Sequence, residues 1–426
     1  MFKCKPLAAA IIAILATQAY ADDNSAEQNQ SGADNLTEVT QTGGQDNLSY
    51  QSQVGSSNYG LVTQDQSTQS DAVQTQTGNL NHAEIAQSAA SQSESIQLQQ
   101  GDSHDASITQ NNTFGASARQ YQDGSYNTSF VEQTGANLST AITEQDGNDN
   151  FAEAIQSNTE SSVSEQRQIG NDNVSLVWQE GGAGNDAIVD QQGNTNDATI
   201  YQVNANDSSA EINQQGDSHT ASVTQEGSLH SANIDSNGQM NEAYVDQSGS
   251  LQTASIYQNG TSLSADIFQA GESNSASTEQ TGNNNYLTVD QLDGTFQTAS
   301  LQQDGQFNEA YVTQQGTNNE LNFAQDGSEN LLTADQRGTG NELTGTSYGD
   351  NNRVDVMQDG DLNVADIQQI YGSDNEVNLM QTGEGHLAQV LQGGVANQAI
   401  LDQSGMGNSA IVSQMGSNNT AIVTQQ

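Results

Sequence analysis

The chain has 426 residues, of which 53 are Asp or Glu and 6 are Lys or Arg, so its formal charge at pH 7 is −47. This charge argues against nucleic acid as a partner, because a polyanion repels another polyanion. The single cysteine, Cys4, excludes an intramolecular disulfide framework. Low hydrophobicity combined with high net charge would by itself indicate disorder, unless the sequence carries an ordering pattern.

Residues 1–21 have the pattern of a secretory signal peptide. Lys3 and Lys5 form a basic start, an apolar run follows over residues 7–16, and Ala19-Tyr20-Ala21 is a small-residue cleavage site. The predicted mature chain keeps four arginines against 53 acids, a formal charge of −49, and has no lysine, proline or cysteine. Export of the protein from the cell is therefore predicted.

A repeat of about 11 residues follows a short polar segment, residues 22–31. The unit reads G-x-x-N-x-A-x-V-x-Q-x, and 35 units are predicted between Gly32 and Gln425. In the N-terminal half, 12- and 11-residue units alternate and every second unit is degraded, as at 92–99 and 161–168; past Gln214 the period is taken as 11 residues. Fixed columns of this kind argue against disorder and predict one repeat domain, residues 32–426.

The last seventeen units give the columns most clearly. Each begins with a glycine, and sixteen have glutamine nine residues later, with Ser347 the exception. The turn glycines predicted from this pattern include Gly238, Gly249, Gly260, Gly271, Gly405 and Gly416. The inward amides predicted to stack include Asn241, Gln247, Asn274, Gln280, Asn308, Gln314, Asn408, Gln414, Asn419 and Gln425.

The spacing within a unit predicts a β-strand. Asn, Ala, Val and Gln recur at every second position and therefore share one face, while the glycine predicts a turn. Two such strands facing each other form a coil of 22–23 residues, and successive coils stack at about 4.8 Å. The predicted fold is an all-β, two-sheet β-solenoid of about 17 coils and roughly 80 Å in height, with amyloid-like cross-β order on polymerisation. Stacked amides can donate from one coil to the next.

These columns resemble the curlin repeat, Q-x-G-x-x-N-x-A-x-x-x-Q, which residues 403–414 match from Gln403 through Gly405, Asn408 and Ala410 to Gln414. The resemblance implies a subunit of curli, the extracellular amyloid fibres of bacterial biofilms, with roles in adhesion and aggregation. It also implies a cell-surface location and several partners: copies of the chain itself, a nucleator or companion curlin, periplasmic accessory proteins and an outer-membrane secretion pore.

The histidines, acids and aromatics have simpler interpretations than a catalytic or metal site. Four histidines, His104, His219, His230 and His386, occupy the Asn column, where an imidazole replaces an amide as donor and acceptor. No zinc-type spacing exists, and the acids lie at outward positions without a fixed column, which predicts solvated charge and leaves open only weak divalent-cation binding. Outward aromatics are interpreted as cross-strand packing.

No nucleophile–base constellation recurs, so the prediction is a non-enzyme without cofactors. The competing interpretation is a monomeric β-solenoid adhesin or an ice- or ligand-binding surface protein. An ice-binding face would need a regular row of threonines, whereas the outward columns are mixed. The clean last unit, from Gly416, is expected to act as an uncapped template, which favours polymerisation.

Overall fold

A computed structural model describes residues 23–426, so the predicted signal peptide lies outside the described residues. The predicted fold class is confirmed: 36 strands alternate between two parallel sheets of 18 strands each, stacked as a two-sheet β-solenoid. The described part of the chain contains no helix, and hence none with the length and apolarity needed to cross a bilayer.

Sheet 1 contains the odd-numbered strands and sheet 2 the even-numbered strands. The strands of sheet 1 are β1 Ser25–Ala33, β3 Leu48–Ser56, β5 Asp71–Asn79, β7 Glu94–Asp102, β9 Ser117–Ser125, β11 Thr140–Asn148, β13 Val163–Asn171, β15 Asp186–Asn194, β17 Ser209–Asp217, β19 Ser231–Gln239, β21 Thr253–Thr261, β23 Ser275–Asn283, β25 Thr298–Gln306, β27 Glu320–Ser328, β29 Glu342–Asp350, β31 Val364–Ser373, β33 Leu387–Val395 and β35 Ser409–Ser417. The strands of sheet 2 are β2 Leu36–Thr42, β4 Tyr59–Asp65, β6 His82–Ser88, β8 Asp105–Asn111, β10 Thr128–Thr134, β12 Phe151–Ser157, β14 Val174–Glu180, β16 Asp197–Asn206, β18 Thr220–Ser228, β20 Glu242–Ser250, β22 Ser264–Glu272, β24 Tyr286–Thr295, β26 Glu309–Thr317, β28 Leu331–Thr339, β30 Arg353–Asp361, β32 Glu376–Glu384, β34 Gln398–Met406 and β36 Thr420–Gln425.

The core lies between the two sheets, because alternate side chains of each strand point inward. In β22, Ala265, Ile267 and Gln269 are buried and their neighbours are partly exposed. One apolar cluster runs without interruption from Val177 to Val412. Since each strand pairs with the strand two places along the chain, equivalent residues stand directly above one another through the stack.

The turns of the C-terminal half require glycine for two reasons. Gly249 has φ +117°, a conformation that other residues rarely adopt, and a Cβ there would overlap the carbonyl oxygen of Gly271 in the next coil. Two residues later, Leu251 has φ +57° and is exposed. We call this the glycine arch; every strand of sheet 1 leads into one, through a glycine column that runs from Gly32 to Gly416.

The degraded N-terminal units use a different turn. Five residues connect sheet 2 back to sheet 1, and in the turn at 66–70 the residues Gln66 and Gln69 have φ +54° and +52° while Ser67 and Ser70 are buried. We call this the five-residue arch; it recurs at 43–47, 66–70, 89–93, 112–116, 135–139, 158–162 and 181–185. In the arches at 89–93 and 158–162 the buried positions hold Ala, Ser or Thr, so the glycine signal is missing before β7 and β13 although both are regular strands.

Two sequence-based boundaries differ from the structure. Residues 25–31, predicted to be a polar segment before the repeats, belong to β1, where Gln28 and Gln30 donate to Gln51 and Gln53 of β3. This strand was missed because no glycine precedes it at the expected distance, and the structure accordingly has 36 strands where 35 units were predicted.

The 11-residue period past Gln214 is also not uniform. One-residue bulges lengthen three strands, at Asn204 in β16, Asp293 in β24 and Tyr371 in β31. The last two stretch the spacing between successive glycines to 12 residues, from Gly282 to Gly294 and from Gly360 to Gly372. A bulge places an extra residue opposite one partner and leaves the flanking register intact.

Gly345 and Ser347 stand where the repeat has its inward Val and Gln, but both lie inside a continuous strand, β29. The buried ring of Phe323 stands where a Cβ on Gly345 would lie, and the Ser347 hydroxyl donates to Gln369 Oε1 at 2.6 Å. The register nevertheless shifts between Ser347 and Asp350. We expect amide hydrogens of residues 343–356 to exchange faster than those of the neighbouring coils, because this coil lacks a ladder amide; uniform protection in a mass-spectrometric exchange experiment would contradict this.

Candidate functional site

The glutamines of sheet 2 form a single unbroken hydrogen-bonded ladder. Each donates from Nε2 to Oε1 of the glutamine in the next coil, beginning with Gln41 to Gln64 at 2.8 Å and ending with Gln403 to Gln425 at 2.8 Å. Between these ends the N···O distances lie at 2.7–3.0 Å. Each Nε2 also donates to a backbone carbonyl of sheet 1, as Gln314 does to Thr298 at 3.0 Å, so the orientation of the amide is fixed.

Three of the predicted ladder glutamines, Gln247, Gln314 and Gln425, lie in this sheet 2 ladder. Gln280 and Gln414 lie in the matching ladder of sheet 1, with Gln280 donating to Gln303 at 2.9 Å. The sheet 1 ladder is interrupted where serine replaces glutamine, at Ser236 and Ser347; both hydroxyls donate onward to the next glutamine but accept nothing from the one before. The five predicted glutamines therefore belong to two separate ladders.

The asparagine column binds one coil to the next through the backbone. Asn308 Oδ1 accepts the N–H of Asn330 in the next coil at 3.0 Å, and its Nδ2 donates to the carbonyl of Gly327 at 3.0 Å. Where Asn side chains bond directly, the later residue donates to the earlier one, as from Asn330 to Asn308 at 3.1 Å. The Asn ladder thus runs in the opposite direction to the Gln ladder.

The other predicted asparagines make subsets of the same contacts. Asn241 and Asn274 accept the N–H of the equivalent residue one coil on, at 3.1 Å each. Asn408 Nδ2 donates to the Ser404 carbonyl at 2.7 Å, and Asn419 Nδ2 to Asn397 Oδ1 at 2.8 Å. Each Nδ2 that reaches a carbonyl four residues back also closes its own turn.

The predicted turn glycines form the third column. Gly238, Gly249, Gly260, Gly271, Gly405 and Gly416 have φ between +98° and +158°. The Gly416 carbonyl accepts from Asn397 Nδ2 at 3.1 Å, and the Gly271 carbonyl accepts from Gln252 Nε2 at 3.3 Å. At these two glycines the turn conformation and the coil-to-coil bonding therefore depend on the same residue.

A further ladder, absent from the sequence-based prediction, lies in the N-terminal part of sheet 1. Gln28, Gln51, Gln74, Gln97 and Gln120 bond in succession at 2.7–3.0 Å, in the position that Val, Ile or Leu holds elsewhere. Each of the last four also donates to a backbone carbonyl of sheet 2, as Gln97 does to Glu84. Here a second amide column replaces part of the apolar core, and the apolar cluster is correspondingly smaller. The signal in the sequence is the Q-x-Q spacing.

Histidine replaces asparagine in its column as donor and acceptor. In His219, Nε2 faces the Gln215 carbonyl at 3.3 Å, and Nδ1 accepts the Asn241 N–H at 3.2 Å. His104 and His386 make the equivalent two contacts. Burial lowers the pKa of His104 and His219, which favours the neutral ring that this acceptor role requires. Burial also lowers the pKa of His230, whose Nδ1 has no hydrogen-bond partner in the part of the chain that the structure describes.

We expect the variant His219→Asn to unfold less readily in acid than the wild type. A lowered folded pKa means that the stabilising contribution of His219 is present above the unfolded pKa of about 6.5 and is lost as the pH falls. Urea midpoints at pH 7 and pH 5 check this. His82→Asn is the control, because the hydrogen bond that His82 Nδ1 donates to the Asp105 carboxylate raises the pKa of partly exposed His82 and gives the opposite sign. An identical pH dependence in the wild type and His219→Asn would contradict the prediction.

The outer faces carry the acids and most aromatics. On sheet 2, burial raises the pKa of Asp246, Asp266 and Asp290, and nearby carboxylates add to the shift for Asp246 and Asp266. Within residues 23–426, no group of three or more His, Cys, Asp or Glu side chains is placed to hold a metal ion. Aromatic pairs lie along the coil axis, as Tyr286 and Tyr311 do, with ring centroids 5.6 Å apart and planes tilted by 45°.

The repeat columns agree with a known family. The curlin associated repeat matches seven stretches of the chain, at 182–216, 205–238, 260–292, 298–327, 349–383, 387–416 and 394–426. The chain belongs to the curlin-repeat family. No curated protein matches it in a sequence comparison. The curlin matches begin at residue 182, within the last five-residue arch, so the matched part of this curlin-repeat protein is the part built with glycine arches.

Proposed function

We propose that this curlin-repeat protein is a secreted structural subunit of curli-like extracellular amyloid fibres, serving biofilm matrix, surface adhesion and cell aggregation. Its membership of the family supports self-assembly, and its repeat architecture supports a structural role without catalysis. The pattern of residues 1–21 supports export, and the family resemblance supports a cell-surface location with a nucleator, periplasmic accessory proteins and a secretion pore as partners.

The observation that carries the proposal is the self-complementarity of the coils. Each coil offers Nε2 donors on one side and Oε1 acceptors on the other, at matching positions in both sheets. The same coil also offers a strand of each sheet with its backbone groups in register for a parallel neighbour. A coil without a neighbour therefore exposes the groups that an identical coil satisfies, which is the condition for templated cross-β growth.

The experiment is to incubate the purified mature protein and follow assembly. We expect thioflavin-positive fibres seen by electron microscopy, with a meridional diffraction spacing of about 4.8 Å. A protein that remains monomeric for days at high concentration would refute the fibre proposal. A strain lacking the protein should also lose matrix fibres at its surface.

Assembly is expected to speed up with added salt and as the pH falls toward 4. Each mature chain carries a formal charge of −49, and stacking brings these charges together. The Debye length falls from about 30 Å at 0.01 M to about 8 Å at 0.15 M ionic strength, which screens charges on different coils. Burial in the folded chain raises the pKa of the Asp246, Asp266 and Asp290 carboxyls. The contribution of these carboxyls to folding stability is therefore complete below their pKa in the unfolded chain, and it is lost as the pH rises through their pKa in the folded chain.

Lag times over a salt and pH series test this prediction. Mg²⁺ or Ca²⁺ should act more strongly than Na⁺ at equal ionic strength if the carboxylates are loosely bridged. The variant Asp266→Asn should shorten the lag at pH 7 and make no difference near pH 3, where the wild-type carboxyl is protonated. Rates that are indifferent to salt and pH would mean that charge does not limit assembly.

The alternative of a monomeric ice-binding solenoid has less support. On successive strands of sheet 2, one outward column contains Tyr244, Asp266, Thr288 and Tyr311, so the regular row of threonines expected for ice binding does not form there. A monomeric adhesin stays an alternative that the assembly experiment above addresses directly.

A further inference from the structure

A cleft of about 490 Å³ on the outer surface of sheet 1 spans four strands, β25, β27, β29 and β31. Its lining includes Asp304, Asp326, Tyr348 and Tyr371, together with Ala324. In the outward column that runs through Gln302, Ala324 and Thr346, Ala324 has the shortest side chain. This local loss of outward side-chain volume leaves space between the neighbouring side chains.

The bulge in β31 places Tyr371 in the lining of this cleft. Tyr371 is the extra residue, opposite the register shift between Ser347 and Asp350, and it has φ +56°. At the other two bulges the residue with positive φ is Asn204 or Asp293, the types that adopt this conformation at least cost. Tyrosine is disfavoured in this conformation relative to Asn or Asp, so backbone preference does not account for a tyrosine at this bulge.

Two tyrosine rings meet edge to face in a cleft that two carboxylates also line. The rings of Tyr348 and Tyr371 have centroids 5.9 Å apart and planes at 74°, so they form a corner. Asp304, Asp326 and Tyr348 are partners in the same register column, in successive coils. Among the described residues neither aspartate is in an ion pair, and the nearest arginines in the chain, Arg337 and Arg353, pair with acids on sheet 2.

Aromatic faces next to carboxylates attract weakly hydrated cations. The face of a tyrosine ring binds an ammonium or alkylammonium group through its quadrupole, and aromatic corners of this kind recognise quaternary ammonium groups. A divalent metal ion would need more oxygen ligands than two carboxylates provide, whereas an organic cation needs only the ring faces and a compensating charge. The volume of the cleft falls in the range of small-molecule sites.

We propose that this cleft binds a small organic cation of the trimethylammonium class, with the Tyr348 and Tyr371 rings around the methyl groups and Asp304 and Asp326 as counter-charges. The site lies within one chain and does not depend on fibre formation. The trimethylammonium group could belong to a free small molecule or to a lipid headgroup, and the two sources are separated in the experiment below.

The test uses the full mature chain and titration calorimetry with choline. We expect one bound choline per chain, and much weaker binding of the uncharged isostere in which a tert-butyl group replaces the trimethylammonium. Tyr371→Asn should weaken choline binding by about 2- to 30-fold, because it removes one ring while keeping a residue suited to positive φ. Tyr371→Phe should retain binding, and Asp326→Asn should weaken it.

Tyr126→Asn is the matched control, because Tyr126 is another exposed tyrosine with positive φ but lies in a distant turn. Urea midpoints verify that each variant is folded. The proposal is overturned if the isostere binds as tightly as choline, if Tyr126→Asn and Tyr371→Asn have equal effects, or if many cholines bind irrespective of either tyrosine. Binding to phosphatidylcholine vesicles as well as to choline would identify a lipid headgroup as a ligand, and binding to choline alone a soluble one; both outcomes support the site.

Discussion

Gly383→Ala is expected to unfold the coil that contains it, at a cost of about 3 kcal/mol or more. Gly383 has φ +123°, and an added Cβ would overlap the carbonyl oxygen of Gly405 in the next coil and stand 3.2 Å from His386 Nε2. The overlap involves backbone on both sides, so neither coil can yield without breaking the bonds between β32 and β34. A shift of the backbone here would also disturb the hydrogen bond that Asn363 Nδ2 donates to the carbonyl of residue 383, which is 3.1 Å long in the wild type.

The control for this substitution lies two residues away in the same turn. Gly385 has φ +69°, and a Cβ there would meet no atom within 4 Å. Asparagine adopts this conformation readily, so Gly385→Asn should change stability by less than about 0.5 kcal/mol. Urea midpoints and limited proteolysis around β32 measure both variants. Equal losses would mean that any substitution in the turn is harmful and that the approach of the coils is not the cause.

Gln314→Ala should be the second most damaging change. Gln314 is fully buried, accepts from Gln291 at 2.8 Å and donates to Gln336 at 2.8 Å. Its removal leaves one donor and one acceptor without a partner in the unbroken ladder of sheet 2. Each buried polar group left unsatisfied costs about 1–3 kcal/mol, and the cavity left by the lost side chain adds to this. A lower urea midpoint and slower fibre assembly are expected.

The neighbouring residue supplies the comparison. Gln315 has the same side chain but points outward and is exposed, so Gln315→Ala should be close to neutral. The predicted contrast separates the ladder from the general effect of losing a glutamine. If the two variants assemble and unfold alike, the inward amides do not hold the coils together.

The sequence predicted the strand positions and inward columns well, because alternation with period two leaves little freedom in which face a residue occupies. It missed β1, because no glycine precedes that strand. It also missed the nature of the N-terminal turns, since a five-residue arch buries small residues such as Ser67 and needs no glycine there. It also missed that the residue two places after the glycine of the glycine arch has positive φ as well. There Leu251 and Phe307 adopt positive φ despite their bulk, because backbone bonds to the adjacent coil impose the turn.

The ladder residues were predicted as a set, but their connectivity was not. Spacing alone cannot show that Asn308 bonds mainly to backbone groups, or that the Asn and Gln ladders run in opposite directions. The cleft at Tyr348 and Tyr371 was likewise invisible, because it depends on a bulge that brings residues of four strands together. Each of these features arises from the geometry of neighbouring coils, which a pattern within one unit does not contain.

The bulges and the two kinds of arch also make the coils distinguishable from one another and so fix which strands pair. A column of identical coils could slip by one whole coil at almost no energetic cost, since every contact would be replaced by an equivalent one. A one-coil slip here would set the last 23-residue coil of the N-terminal half against a 22-residue coil and would put the insertions at Asn204, Asp293 and Tyr371 opposite strands of the wrong length. Because of these irregularities, an alignment shifted by one coil is higher in energy than the native alignment. In a perfect repeat the two alignments would have nearly the same energy.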